Sequence, residues 1–184
     1  MDIGKLKERM QKFCATGDGR YAIHHPWVAG GEIRATDGRI AARCKCDEPD
    51  TVPENGVKYP DFSTIGFDAK LYGEPVELPD APKPTTRRCE SCRGTGTWEC
   101  DCPDCSGFHD CESCDGKGEW IDHGHPIKIG DGVVFLGPRY VALLRSDGVT
   151  HVRPKLKYPA SSPVYTEHDG IEYLLMPVRT DAQH

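Results

Sequence analysis

The chain has 184 residues, of which 37% are hydrophobic and 28% charged, with a formal net charge of -6 and a mean hydropathy of -0.58. That length fits one domain, or one domain with a small inserted module, and excludes a long multidomain enzyme; the apolar fraction can close a core, which argues against disorder throughout. No window approaches the roughly 18 uninterrupted apolar residues of a membrane helix, and the N-terminal MDIGKLKERM lacks the apolar stretch and cleavage pattern of a secretory signal, so the expected location is the cytoplasm.

Residues 2–14 read as an amphipathic helix: Ile3, Leu6, Met10 and Phe13 recur with the 3.6 period, while Lys5, Arg9 and Lys12 follow one another on a second face. Residues 21–29 and 32–43 read as strands joined by a tight Gly30-Gly31 turn, with a further turn at Asp37-Gly38. Residues 47–85 are rich in Pro, Asp and Gly and give weak element signals. Pro75, Pro79, Pro82 and Pro84 then precede a cysteine cluster, and His123-Gly124-His125-Pro126 follows it, the pattern of extended connectors entering and leaving an insertion. Beyond it, residues 127–135 predict a strand, 138–144 a short helix with proline in its first turn, 150–157 a strand, and 173–178 a last, almost wholly apolar strand. The two flanks share an order of helix, strands and turns, as a duplicated unit split by an insertion would. The expected division is 1–85, 86–123 and 124–184.

Seven of the ten cysteines fall within 26 residues: Cys89, Cys92, Cys100, Cys102, Cys105, Cys111 and Cys114. In a reducing compartment, thiols clustered in this way are metal ligands rather than disulfides. The strongest motif is Cys89-Glu90-Ser91-Cys92-Arg93-Gly94-Thr95-Gly96, repeated as Cys111-Glu112-Ser113-Cys114-Asp115-Gly116-Lys117-Gly118. A CxxC turn sets two sulfurs on one side of a knuckle, and the glycines after it accept positive φ so that backbone amides turn toward the thiolates. Two knuckles complete one tetrahedral zinc site, formed by Cys89, Cys92, Cys111 and Cys114. A second zinc is expected on Cys100, Cys102, Cys105 and His109; spacing also allows arrangements that use Cys100 with Cys105 or recruit His123 or His125. The metal's expected task is to fold a module too small for its own core. Four protein ligands leave no open position for catalysis, and no βαβ context suggests a redox role.

The segment 86–123 carries 4 basic and 9 acidic groups before its thiolates are counted. Phosphate backbones would be repelled, so this module is expected to face protein partners rather than nucleic acid.

These residues resemble the cysteine-rich zinc-binding domain of DnaJ-type co-chaperones, in which four CxxCxGxG repeats pair first with fourth and second with third around two zinc ions. The resemblance covers residues 87–121. The middle repeats are compressed into Cys100-Asp101-Cys102-Pro103-Asp104-Cys105, and the chain has no His-Pro-Asp triplet and no J-domain helix pair. The resemblance therefore implies metal binding and not chaperone activity.

The run Tyr173-Leu174-Leu175-Met176-Pro177-Val178-Arg179 is similar to the last strand of the bacterial beta sliding clamp of the replicative DNA polymerase. Residues 139–144 resemble that family's short Tyr-Leu helix, Ala160-Ser161-Ser162-Pro163-Val164 its Ser-Ser-Pro turn, and Ala35-Thr36-Asp37-Gly38-Arg39-Ile40-Ala41 a strand and turn of clamp domains. The resemblance implies an α+β fold: a single clamp-like domain, an antiparallel sheet with helices on one face, interrupted by a small zinc-ribbon-like DnaJ-type module. It further implies that Lys5, Arg9 and Lys12 face duplex DNA, and that Leu175, Met176, Pro177, Val178 and Arg179 line a pocket for short partner motifs. The plainer alternatives are a solvated helix face and core packing. A clamp chain strings three such domains and dimerises around DNA. This chain can supply one, so it encircles DNA only as a homo-oligomer, or serves as an isolated domain that binds or competes with a true clamp.

No enzyme motif stands out: there is no GxxxxGK[ST], GxSxG or HExxH. His24 and His25 read as surface or core histidines, and Cys44 and Cys46 as ordinary thiols. The expected function is that of a non-catalytic clamp-like domain with a zinc-stabilised insertion, working in DNA replication or its control, of the kind a phage or other mobile element would encode. The rival is a zinc-dependent protein-interaction module of chaperone-adaptor type, with no nucleic-acid role.

Overall fold

Asp2 starts the first helix by accepting a hydrogen bond from the Gly4 amide at 2.8 Å. In chain order, a computed structural model of the protein has α1 (Ile3–Gln11), β1 (Trp27–Ala29), β2 (Glu32–Thr36), β3 (Ile40–Lys45), β4 (Val76–Glu77), β5 (Thr85–Arg88), β6 (Thr97–Glu99), β7 (Phe108–Asp110) and β8 (Glu119–Asp122). After these come β9 (Ile127–Ile129), β10 (Val134–Leu136), α2 (Pro138–Ser146), β11 (His151–Val152), β12 (Val164–His168) and β13 (Ile171–Leu175). The structure describes residues 2–16, 23–52, 58–99 and 107–179. The chain divides into two units: residues 1–81 with 126–184, and residues 82–125.

In the first unit, five strands form an antiparallel sheet in the order β1-β2-β3-β13-β12. β3 and β13 lie side by side although Arg43 and Glu172 are 129 positions apart, and the register sets Ile40 opposite Leu175 and Ala42 opposite Tyr173. Alternation then sorts the side chains. Ile33, Ala35, Ile40, Ala42, Ile171, Tyr173 and Leu175 share one core cluster with Leu6, Met10 and Phe13 from α1 and its C-terminal turn, and with Val141 and Leu144 from α2. Both helices therefore cover the same sheet face. The opposite face carries Trp27, Ala41, Tyr165 and Leu174, covered by Phe62, Phe67 and Tyr72. Trp27 stacks on Tyr59 at 5.2 Å and meets the Phe62 edge at 5.3 Å. The segment with weak element signals thus contributes aromatic rings in place of regular structure.

The sequence expectations shift in several places. The strand anticipated over 127–135 is the β9-β10 hairpin, because Gly130, at φ 56, turns the chain after Ile129. The strand anticipated over 150–157 shrinks to β11, which pairs with β4. The last strand is β13, which starts earlier than expected and ends at Leu175. β12 was not anticipated. It forms a hairpin with β13 around Asp169-Gly170, both at positive φ, the residue pair that a two-residue hairpin favours. Tyr21 and Ala22 lie outside the described residues. Among the described residues no helix is long and apolar enough to cross a membrane.

In the second unit, β5 pairs with β8 and β6 with β7. Among its described residues the buried side chains are Cys89, Cys92, Cys111 and Cys114.

Candidate metal centre and partner groove

Each cysteine knuckle is built the same way. Gly94 N–H donates to the Cys89 carbonyl at 3.0 Å and Gly116 N–H to that of Cys111 at 3.1 Å, after which Gly96 N–H reaches Cys92 Sγ at 3.3 Å and Gly118 N–H reaches Cys114 Sγ at 3.2 Å. The knuckles also exchange bonds: Cys89 N–H donates to the Gly118 carbonyl and Cys111 N–H to the Gly96 carbonyl, both at 2.8 Å. The result is a local two-fold arrangement that brings the four sulfurs within 4.8 Å of one another. Cys89 and Cys111 Sγ are 3.9 Å apart, Cys92 and Cys114 Sγ 3.7 Å. Metal–sulfur bonds of about 2.3 Å in a tetrahedron require sulfurs about 3.8 Å apart, so the four side chains fit a single metal ion.

The electrostatics favour the same conclusion. The Trp120 indole N–H and then the Cys92 amide pull the Cys89 thiol down to about 6. Burial, reinforced by the neighbouring sulfurs, pushes Cys114 up to about 12. Four sulfurs this close would repel one another as thiolates, a repulsion that a bound cation would relieve.

The crossing of the two knuckles allows no side chain at its centre. A Cβ on Gly96 would lie 2.2 Å from the Gly116 carbonyl oxygen, and one on Gly118 would lie 2.5 Å from that of Gly94. Gly96→Ala is therefore expected to weaken metal binding by about 10- to 100-fold, the range seen when groups that orient metal ligands are disturbed. Competition with a chromophoric chelator measures this, and an affinity equal to that of the unmodified protein would refute the role given to the crossing.

Of the second set of predicted ligands, Cys100, Cys102 and Cys105 lie outside the described residues. His109 is exposed on β7, its ring 5.0 Å from that of Trp98. Cys14 is buried, and its thiol is pushed up to about 12 by burial; Cys44 and Cys46 are half-buried. His25 Nδ1 lies 3.1 Å from Gln11 Oε1, and Gln11 donates to the His24 carbonyl.

Two of the three cations on α1 have a carboxylate partner within the fold. Arg9 Nε donates to both oxygens of Asp147 at 2.9 and 3.0 Å, its second amino group reaches the Asp147 carbonyl at 3.2 Å, and Lys12 Nζ lies 3.3 Å from the same carboxylate. Tyr173 donates its hydroxyl to Asp147 as well. Arg9 and Lys12 therefore belong to a charge cluster joining α1, α2 and β13, and Lys5 alone of the three is exposed without such a partner among the described residues.

Of the five C-terminal residues, Met176, Pro177, Val178 and Arg179 line one open cavity together with Asp37, Gly38 and Arg39. Leu175 is buried in the helix-side core, so its expected place in a partner pocket is corrected. Met176 is 46% exposed, Pro177 and Val178 are half-buried, and Arg179 is exposed. A groove of about 280 Å³ on the other sheet face is lined by Ile23, Ile40, Phe62, Ile65, Leu174 and Met176 among others. Sequence reasoning missed Leu174, although strict alternation with Tyr173 and Leu175 would have placed it there, and missed Phe62 and Ile65 because no periodic pattern surrounds them. Beside the groove, Tyr140 donates to Asp37 at 2.8 Å and Met176 N–H donates to the Arg39 carbonyl at 2.9 Å.

Fold and site together define a sheet-and-helix domain carrying a four-cysteine centre able to hold a metal ion. No protein-family model matches the sequence, and no curated protein matches it. Among solved structures the chain is similar to a DNA polymerase sliding clamp from Pseudomonas aeruginosa, with 14% identity and a TM-score of 0.47 over 96% of this chain and 63% of that one. It is also similar to the DNA polymerase III subunit beta from the same organism, with 16% identity and a TM-score of 0.45 over 98% and 66%. The alignments span less than two thirds of either clamp chain.

Proposed function

We propose that this chain is a non-catalytic zinc-binding protein whose clamp-like domain acts as a binding or accessory factor in DNA replication. One observation carries the reading. The segments that resemble clamp sequence are far apart in the chain, yet the Asp37-Gly38-Arg39 turn is bonded on one side to Tyr140 of α2 and on the other to Met176 just past β13. They meet at the rim of an apolar groove suited to a short peptide. Two helices on a single face of a continuous antiparallel sheet support the same reading. Thiolate ligands at tetrahedral spacing favour zinc. With Arg9 and Lys12 held by Asp147, action at the groove takes precedence over DNA contact through α1.

The test is fluorescence anisotropy of a labelled peptide bearing the clamp-binding motif of a replicative polymerase. Binding that Met176→Asp abolishes supports the proposal; no binding, or binding indifferent to that change, rejects it. The rival reading, a zinc-dependent interaction module, draws on the exposed Trp98, Phe108, Trp120 and Ile121 of residues 82–125 and expects partner binding that ignores Met176 but ends on chelation. Elemental analysis of the purified protein is expected to give two zinc ions per chain; one would remove the site assigned to Cys100, Cys102, Cys105 and His109.

A further inference from the structure

Residues 82–125 use no aromatic side chain for their core. Their buried side chains among the described residues are four cysteines, while Trp98, Phe108, Trp120 and Ile121 are 48%, 64%, 50% and 65% exposed. Large apolar side chains left this exposed, gathered on so small a unit, mark a surface that a partner covers. The charge of the unit states what that partner is. Residues 82–125 hold 5 basic and 9 acidic side chains, and a tetrathiolate zinc centre adds about two further negative charges.

The β6-β7 hairpin concentrates both properties. Its register sets Glu99 opposite Phe108, and Thr97 opposite Asp110. Alternation puts these four on one hairpin face, and Trp98 and His109, ring against ring, on the other. Phe108 thus has a carboxylate across the strand pair and a second two positions along its own strand. The Asp110 carboxylate rests against Gly116, where a Cβ would come within 3.2 Å of it, so it is held next to the second knuckle. An aromatic ring between two carboxylates is the complement of a lysine or arginine, whose apolar stem lies on the ring while its charge meets the acids.

We propose that the hairpin face bearing Phe108, Glu99 and Asp110 docks a basic segment of another protein, one that presents lysine or arginine beside an apolar anchor. The inference rests on the reading of this unit as metal-folded and deepens it by naming the partner's chemistry. Nucleic acid has the wrong charge. A second copy is a poor match too, because the rest of the chain carries 18 basic and 20 acidic residues and offers no net positive charge.

The experiment uses the full, zinc-loaded chain and a fluorescein-labelled ten-residue peptide of alternating lysine and leucine, with a glutamate–leucine peptide and a single-stranded oligonucleotide as comparisons. The lysine peptide is expected to bind, with affinity falling about tenfold in Phe108→Ala and again in E99K/D110K, as loss of a central anchor or its charge partners does. E90K/E112K makes the same change in net charge elsewhere on the unit and should cost less than about threefold, since exposed charges at a distance are screened. E99Q/D110N removes the charge with little change of shape and should match E99K/D110K in direction. Equal losses in the two charge-reversed variants, full binding by Phe108→Ala, or equal affinity for the glutamate peptide or the oligonucleotide would each overturn the proposal. Zinc content separates the two failures: a chain without zinc fails the metal reading, whereas a zinc-loaded chain with no preference for the basic peptide fails this inference alone.

Discussion

Chelating the metal at neutral pH is expected to unfold residues 82–125 and leave the sheet-and-helix domain folded. The inserted unit buries four cysteines and contains two short two-stranded sheets, far too little apolar surface to offset the entropy of ordering it. Structural zinc supplies an apparent ~10–16 kcal/mol in such modules at neutral pH, so its removal shifts the local equilibrium to the unfolded side. The other unit owes its stability to a separate core that includes Phe13, Trp27, Ile33, Leu144 and Tyr173. Limited trypsin digestion makes the difference visible. With metal bound, cleavage after Arg87, Arg88, Arg93 and Lys117 should be slow; with chelator present it should be fast, and the flanking fragments should survive. Cys111→Ser should behave as the chelated protein does. Acidification should release the metal as well, because protons compete for sulfurs that bind only as thiolates. A digestion pattern unchanged by chelator would show that the cysteines hold the unit together in some other way.

The parts of this architecture that were legible in the sequence are those fixed by local chemistry. The paired knuckles could be read because CxxCxGxG encodes its own turn, and every glycine used in the crossing stands in the motif. α2 was legible through Pro138 in its first turn, and the β1-β2 turn through Gly30-Gly31. Two kinds of information were not. Pairing of β3 with β13 is a long-range event that no local pattern records. The fate of individual side chains is the other: Arg9 and Lys12 lie on a polar helix face in sequence, yet their partner, Asp147, comes from the end of another helix. The miss at β12 was different in kind. Asp169-Gly170 is a legible hairpin signal, but Ser161-Ser162-Pro163 has the composition of a turn, and the Val164-Tyr165-Thr166 run after it buries three residues in succession instead of alternating.

Asp147→Ala is expected to destabilise the sheet-and-helix domain by about 3 kcal/mol, the lower end of the cost of removing one member of a buried ion pair. The Asp147 side chain is 2% exposed and that of Arg9 19%. Loss of the carboxylate strands the Tyr173 hydroxyl and takes from Arg9 its closest acceptor, leaving the guanidinium the Asp147 carbonyl and the more exposed Asp169 carboxylate. Burial by itself would raise the Asp147 pKa, but hydrogen bonds from Arg9 and Tyr173, with the charges of Arg9 and Lys12, hold it below the usual carboxylate value. The same contact pushes Tyr173 up, with burial the larger cause, so the phenol keeps its proton and remains the donor. A carboxylate whose pKa is lower in the folded state binds fewer protons there than when unfolded. Its contribution is therefore fully present above the unfolded value of about 3.9 and is lost as pH falls through the folded value. Urea unfolding of wild type, Asp147→Ala, Arg9→Ala and the double variant at neutral pH should give a double change smaller than the sum of the single ones, because each single change already breaks the shared contact. Asp147→Asn should fall between wild type and Asp147→Ala at neutral pH, and its deficit should narrow as the pH is lowered through the folded value. Additive single effects, or a deficit that does not change with acidification, would mean that the cluster joining α1, α2 and β13 is a surface ornament and that the two helices are held to the sheet by apolar packing alone.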